Sequence, residues 1–189
     1  EFSNWKNKNE KYLTDIFFHA DSAISKGDQN WKIIREWSLE DSYSKVKENN
    51  IVVNILKTDN VSACPIYTDS VRAHIQSRLI PSNTYSKGYP FWESFDDKLD
   101  VTTSLPFLLS ANGTISSEIN TVNSKQIDGL STALQQMHIG DRWIVYVPYQ
   151  YGYGSVNNSS PIVPAYSTLV FDVTLVAIYH SGDRISKWK

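Results

Sequence analysis

Two runs near the C-terminus constrain the fold of this chain more than any other feature. They cover residues 143–147, which read Trp-Ile-Val-Tyr-Val, and residues 168–178, which read Thr-Leu-Val-Phe-Asp-Val-Thr-Leu-Val-Ala-Ile. Both are rich in β-branched and aromatic side chains, which pack well on a pleated surface. The segment between them is rich in Tyr, Gly, Asn, Ser and Pro, as loops between strands are. We therefore predict two β-strands joined by a loop.

Shorter strand patterns precede these two runs. Residues 31–37 and 51–56 are apolar stretches separated by a polar segment, and each has the length of a strand. Residues 71–79 alternate between apolar and polar side chains, which is the period of a strand with one face in water. These patterns predict three more strands.

The stretch between residues 81 and 126 is less regular. Residues 81–104 carry prolines, a glycine and an aromatic cluster, which favours a long loop or a bulged strand. Residues 105–109 lead into Asn112-Gly113, a dipeptide typical of a type I′ turn. Residues 115–122 are then expected to return as the partner strand of a small inserted hairpin.

Two segments have the 3.6-residue period of a helix. Residues 3–25 place Trp5, Leu13 and other apolar side chains on one face, and Gly27 follows as a stop. Residues 129–137 form a short apolar stripe that ends before Gly140, which suits a left-handed C-terminal cap. Many strands around one central helix indicate an α+β domain.

Composition narrows the functional classes. The chain has 189 residues, a formal net charge of −2 and a pI near 6.1, with Lys and Arg scattered, so we expect no nucleic-acid partner. No apolar run approaches the roughly 20 residues that span a bilayer, so the chain itself is expected to be soluble. The single cysteine, Cys64, cannot form an internal disulfide and is predicted to be a small buried thiol.

No common catalytic or metal-binding motif is present. The four histidines, His19, His74, His138 and His180, lie on different predicted elements without ligand spacing. The sequence has no Gly-x-Ser-x-Gly turn and no phosphate-binding glycine loop. We therefore predict no metal and no cofactor.

The second half of the chain carries an ordered set of motifs. Residues 127–141 look like a segment that enters a short helix and leaves it through a glycine turn, and 143–148, Tyr153-Gly154, 162–164 and 167–175 follow in order. This set resembles the FKBP family of peptidyl-prolyl cis-trans isomerases, whose motifs match from about residue 69 to the last strand.

The resemblance implies a fold and a division of the chain. It implies an α+β fold in which a half-open antiparallel β-sheet wraps around one short α-helix, with an N-terminal helical extension. The extension would cover residues 1–30 and the FKBP-like domain residues 31–189. The core motifs would lie in 69–180, with insertions near 81–104 and 112–126.

The resemblance also implies a peptide-binding pocket. The catalytic positions would be Ile127, Tyr153, Phe171 and Phe91. The substrate-binding positions would be Ile75, Trp92, Leu105, Phe107, Leu130, Ile162 and Val163. In this assignment the backbone N–H of Ile127 would donate to a ligand carbonyl, and the hydroxyl of Tyr153 would be a second donor at the rim.

Three positions depart from the family pattern. Ile75 stands where the family has a tyrosine, and Leu130 stands where it has a tryptophan. The family's Phe-Asp pair reads as Phe91-Trp92, or as Tyr85-Ser86 if the insertion is placed later, so the aspartate is missing either way. We expect weak isomerase activity or, alternatively, a module that binds peptides with little catalysis. Occlusion of the cleft by Trp92 or by residues 112–126 would favour the module.

Partners and location follow from resemblance as well. Proline-containing peptides or unfolded proteins would be the substrates, and a macrolide would be a ligand. The N-terminal helix and residues 64–71 also resemble FKBP-like envelope lipoproteins of Bacteroidetes. That likeness implies a location in the cell envelope, with contact to a membrane only through a lipidated cysteine upstream of Glu1.

Overall fold

Most predicted strands and helices are present with small shifts at their ends, and the loop predicted between the two C-terminal runs contains two additional strands of two residues each. The computed structural model describes residues 2–43, 46–96, 98–114, 125–159 and 161–188. In chain order these contain α1 (Trp5–Ser25), β1 (Trp31–Arg35), β2 (Asn50–Lys57), β3 (Ser70–Leu79), β4 (Pro90–Glu93), β5 (Phe107–Ser110), α2 (Asp128–Leu134), β6 (Arg142–Val147), β7 (Asn158–Ser159), β8 (Ile162–Val163) and β9 (Leu169–Tyr179).

One antiparallel sheet organises the domain. Its strand order is β1-β2-β6-β9-β3-β4, and β5 also pairs with β3. Strand β9 pairs with β3 along its whole length. Strands β5 and β4 share the other edge of β3, opposite Ser70–Ala73 and Gln76–Arg78 respectively. The sheet does not close into a barrel, so the half-open antiparallel architecture is confirmed.

The hydrophobic core lies between the inner face of the sheet and α2. Alternate residues of β9 are buried, among them Phe171 and Val173. Every residue of α2 after Asp128 is buried. This burial explains why so short a helix is stable, because helices in proteins are stabilised mainly by tertiary packing. A Cβ on Gly129 would lie 2.3 Å from Val147 Cγ1. Glycine is therefore required where α2 approaches β6.

Helix α1 packs against the sheet and is anchored by two buried polar groups. The indole Nε1 of Trp5 donates to Ser167 Oγ at 2.8 Å. The side chain of Asn9 accepts from the backbone N–H of Thr168 at 2.7 Å. Trp5 also joins the same hydrophobic cluster as the sheet and α2. No helix in the described part of the chain combines the length and apolar character needed to cross a bilayer.

Two details refine the sequence predictions. Within residues 81–104, β4 forms a bulged strand, because its register on β3 shifts between Ser77 and Arg78. Gly113 has a positive φ of 85°, as a tight turn requires, and the predicted partner strand at 115–122 lies outside the described residues.

Cys64 is half-buried rather than buried, and its Sγ lies 3.6 Å from His138 Nε2. The prediction of a buried thiol was therefore wrong.

We expect Asn9→Ala to lower the free energy of unfolding by about 1–3 kcal/mol, because the buried N–H of Thr168 loses its acceptor. Urea denaturation followed by circular dichroism measures the change. Asn7→Ala is the matched control, since the Asn7 side chain donates to Asn4 Oδ1 at the surface. Equal midpoints for the two variants would show that Asn9 does not anchor α1.

Candidate functional site

Four aromatic side chains meet on the inner face of the sheet. The Phe91 ring lies 6.2 Å from that of Tyr153 and 6.1 Å from that of Phe171, measured between centroids, and meets both edge to face. The Trp92 ring lies 5.9 Å from Phe91 and 6.2 Å from Tyr153. Such pairs contribute about 0.5–1.5 kcal/mol each beyond their burial. We call Phe91, Trp92, Tyr153 and Phe171 the aromatic cluster.

Strand register and one loop bring this cluster together. Ser77 of β3 stands opposite Trp92 on one side and opposite Phe171 on the other. Directly opposed residues project from the same face of a sheet, so these three side chains share the inner face. Tyr153 comes from the loop after β6, where the N–H of Gly154 donates to the carbonyl of Tyr149 at 2.8 Å and closes the turn.

The structure gathers most of the residues that the resemblance implies. Nine of the eleven belong to one hydrophobic cluster or pack against it: Ile75, Phe91, Trp92, Phe107, Ile127, Leu130, Tyr153, Val163 and Phe171. The other two lie outside it, with Leu105 67% and Ile162 55% exposed. The nine therefore lie in one packed interior, and the two exposed aliphatic side chains lie outside it.

The cleft is covered in this structure. Tyr153 is only 2% exposed and Phe171 is fully buried, while Phe91 and Trp92 pack on them from β4. The Trp92 ring thus packs beside that of Tyr153. The other candidate for occluding the cleft, the inserted hairpin, has residues 115–124 outside the described part of the chain.

The backbone donor implied by the resemblance already has an acceptor. The N–H of Ile127 donates to the carbonyl of Gly113 at 3.0 Å. The two segments approach closely, since a Cβ on Gly113 would lie 2.1 Å from the carbonyl oxygen of Ile127. A ligand carbonyl could bind Ile127 only by displacing this internal bond.

The hydroxyl of Tyr153 is different, because it is buried without a hydrogen-bond partner among the described residues. Burial raises the pKa of this phenol, so it stays protonated and can donate. Lys125 fixes the residue from outside: its Nζ donates to the Tyr153 carbonyl at 3.0 Å and lies 5.3 Å from the ring centroid. The site therefore contains a buried phenol that can donate a hydrogen bond to a ligand.

Two residues of the site were not singled out by the sequence reasoning. Ser77 is fully buried between Trp92 and Phe171, and its Oγ has no hydrogen-bond partner among the described residues. A signal was present, since Ser77 is the polar exception on the apolar face of residues 71–79. Lys125 had no signal, because its contact with Tyr153 spans 28 residues.

Comparisons with known proteins identify the family and the fold. Residues 67–176 match the family model of the FKBP-type peptidyl-prolyl cis-trans isomerases. A macrophage infectivity potentiator from Trypanosoma cruzi is 45% identical over 56 residues, which is 30% of this chain and 28% of that protein. The chain thus matches less than a third of the length of this relative.

Solved structures share the fold. A peptidyl-prolyl cis-trans isomerase from Pseudomonas syringae pv. tomato superposes with a TM-score of 0.58 at 17% identity, over 95% of this chain and 97% of that one. FkpA from Escherichia coli superposes with a TM-score of 0.51 at 20% identity, over 94% and 65%. Because the family model covers more than half of the sequence, this chain belongs to the FKBP-type peptidyl-prolyl cis-trans isomerase family.

We expect Tyr153→Phe to leave the free energy of unfolding unchanged or to raise it by about 1 kcal/mol, since the removed hydroxyl is buried and unpaired. Tyr151→Phe is the matched control, because the Tyr151 hydroxyl donates to Asn49 Oδ1 at 3.2 Å; its loss should cost about 0.5–1.5 kcal/mol. Urea unfolding of both variants measures the difference. A larger loss for Tyr153→Phe would show that its hydroxyl is already bonded in the free protein.

Proposed function

We propose that this chain catalyses the cis-trans isomerisation of X-Pro peptide bonds. The observation that carries the proposal is the Tyr153 hydroxyl, a buried donor beside the aromatic cluster without an acceptor among the described residues. An unpaired buried hydroxyl costs about 1–3 kcal/mol. A carbonyl of a bound peptide would supply the missing acceptor and recover that free energy.

The reaction needs neither a nucleophile nor a metal. Rotation about an amide bond is opposed by resonance, with a barrier of about 18–20 kcal/mol, while the cis and trans forms of X-Pro differ little in energy. The twisted amide is less charge-separated than the planar one, so an apolar site favours it over the ground state. The rings of Phe91 and Phe171 would hold the pyrrolidine, and Tyr153 would orient the peptide.

Binding requires Trp92 to move from its position beside Tyr153. Trp92 is half-buried and lies on the short strand β4, where the register is already irregular. A site that is open only part of the time binds more weakly, in proportion to the open fraction. We therefore expect a modest isomerase whose apparent affinity for peptides is limited by this opening.

A second function, peptide binding without turnover, is favoured by two specific contacts. Trp92 packs on Tyr153, and the N–H of Ile127 is engaged with Gly113. A site whose backbone donor is already engaged would hold a peptide without restraining both ends of the bond that rotates. The chain would then be a binding module of the same fold.

The substrate class and location extend the proposal. Proline-containing segments of unfolded or partly folded proteins suit a site with exposed aliphatic residues, such as Leu105 and Ile162, outside its packed interior. A macrolide that filled the same cleft would compete with them. On the resemblance to envelope lipoproteins we place the activity in the cell envelope.

The test is the isomerisation rate of a short X-Pro peptide series with the unmodified protein and three variants. We expect acceleration by the unmodified protein and a loss of about tenfold in kcat/KM for Tyr153→Phe, since one hydrogen bond of about 1.4 kcal/mol is removed. Trp92→Ala should bind peptides more tightly than the unmodified protein, because no indole ring has to move away from Tyr153 before a peptide binds. Tyr151→Phe should behave like the unmodified protein.

Peptide binding, measured in parallel by calorimetry, separates the two functions. Binding without acceleration, in both the unmodified protein and Trp92→Ala, would reject the isomerase and leave the binding module. If no peptide binds to either protein, both proposals are wrong. Equal kcat/KM for Tyr153→Phe and the unmodified protein would remove Tyr153 from the mechanism.

A further inference from the structure

The outer face of the sheet, opposite α2, carries a groove that the candidate peptide site does not use. Its volume is about 550 Å³, and residues of β2, β3, β6 and β9 line its floor. Leu99 and Val101 form one wall, and Trp188 contributes another. The groove is predominantly apolar, with a few polar groups on its floor, as small-molecule sites usually are.

Strand register arranges the polar groups of the floor in one row. His74 stands opposite Thr174, Thr174 opposite Arg142, and Arg142 opposite Lys57. Directly opposed residues project from the same face. The neighbouring row, which includes Ile75 and its partner Val173, faces the core instead.

Two members of the row each have a buried polar atom without a hydrogen-bond partner among the described residues. His74 is only 2% exposed, and its Nδ1 has no hydrogen-bond partner among the described residues. The same holds for the buried Oγ1 of Thr174. Burial lowers the pKa of His74, so the ring is neutral at pH 7 and has one donor and one acceptor nitrogen. Adjacent strands are about 4.8 Å apart, so one small group can reach both side chains.

Two cations, Arg142 and Lys57, and one carboxylate, Asp100, line the groove beside this pair. Arg142 uses Nε and Nη2 to bind Asp172, at 3.0 and 2.7 Å, which leaves the donors of Nη1 without an acceptor among the described residues. Lys57 forms no ion pair with any residue that the structure describes. The carboxylate of the lining, Asp100, already accepts from the N–H and hydroxyl of Thr102.

We propose that this groove binds a small organic acid with an apolar body. Its carboxylate lies at the pair formed by His74 and Thr174, where Arg142, opposite Thr174, supplies the N–H donors of Nη1. The apolar body lies against Leu99, Val101 and Trp188. Hydrogen bonds from a charged guanidinium to a carboxylate are stronger than neutral ones, and Lys57 adds attraction from the end of the row.

The proposal is tested by titrating the isotope-labelled protein with octanoate and with 4-phenylbutyrate, and following backbone amide signals by NMR. We expect saturable shifts for residues of the row and for Gly140 at the edge of the groove. Octan-1-ol, which has the same chain without the charge, should bind at least tenfold more weakly. Acetate, which has the charge without the chain, should cause no saturable shift.

Two variants isolate the polar contacts. Thr174→Val keeps the shape of the side chain and removes a hydroxyl that has no partner, so the fold should be retained; octanoate affinity should fall at least fivefold. Lys57→Met should lower it by a smaller factor. Equal affinity for octanoate and octan-1-ol, shifts centred on Tyr153, or an unchanged affinity in Thr174→Val would each overturn the proposal. Isomerase activity is expected to be the same in both variants, so this test is independent of the proposed catalysis.

Discussion

The antiparallel pairing of β3 with β9 is the constraint on which both faces of the sheet depend. It extends from Ser70 to Leu79 and fixes which residues stand opposite one another. A slip by one residue would move every inward side chain outward. The same pairing sets Phe171 beside Ser77 on the inner face and His74 beside Thr174 on the outer face. Each candidate site is therefore a consequence of one register.

The inner face shows how a familiar fold accommodates unusual side chains. Ile75 and Leu130 are apolar and fully buried, and they complete the core beneath the aromatic cluster. Trp92 packs on Tyr153, so the cover of the cluster is itself aromatic. The hydroxyls of Tyr153 and Ser77 are buried there without a hydrogen-bond partner among the described residues. The proposed chemistry depends on the Tyr153 hydroxyl, because its ring belongs to the aromatic cluster.

Much of the fold could be predicted from local patterns, whereas the state of the site could not. Alternation in residues 71–79 and the apolar runs at 143–147 and 168–178 identified the three central strands, because burial of one face imposes a period of two. Three features of the site depend on tertiary packing, which no local sequence period encodes. They are the position of Trp92 over Tyr153, the hydrogen bond from the Ile127 N–H to the Gly113 carbonyl, and the contact of Lys125 with Tyr153. The outer groove is similar, since its walls come from residues 99–101 and from Trp188, far apart in the chain.

The most direct test of the central claim is where a proline ring binds. Intermolecular nuclear Overhauser effects between a short X-Pro peptide and the protein would locate it. We expect contacts from the pyrrolidine protons to the rings of Phe171 and Tyr153, together with a change in the Trp92 signals as its ring leaves Tyr153. Contacts confined to α1 or to the outer groove, with the Tyr153 and Phe171 signals unchanged, would contradict the assignment of the aromatic cluster as the site of isomerisation.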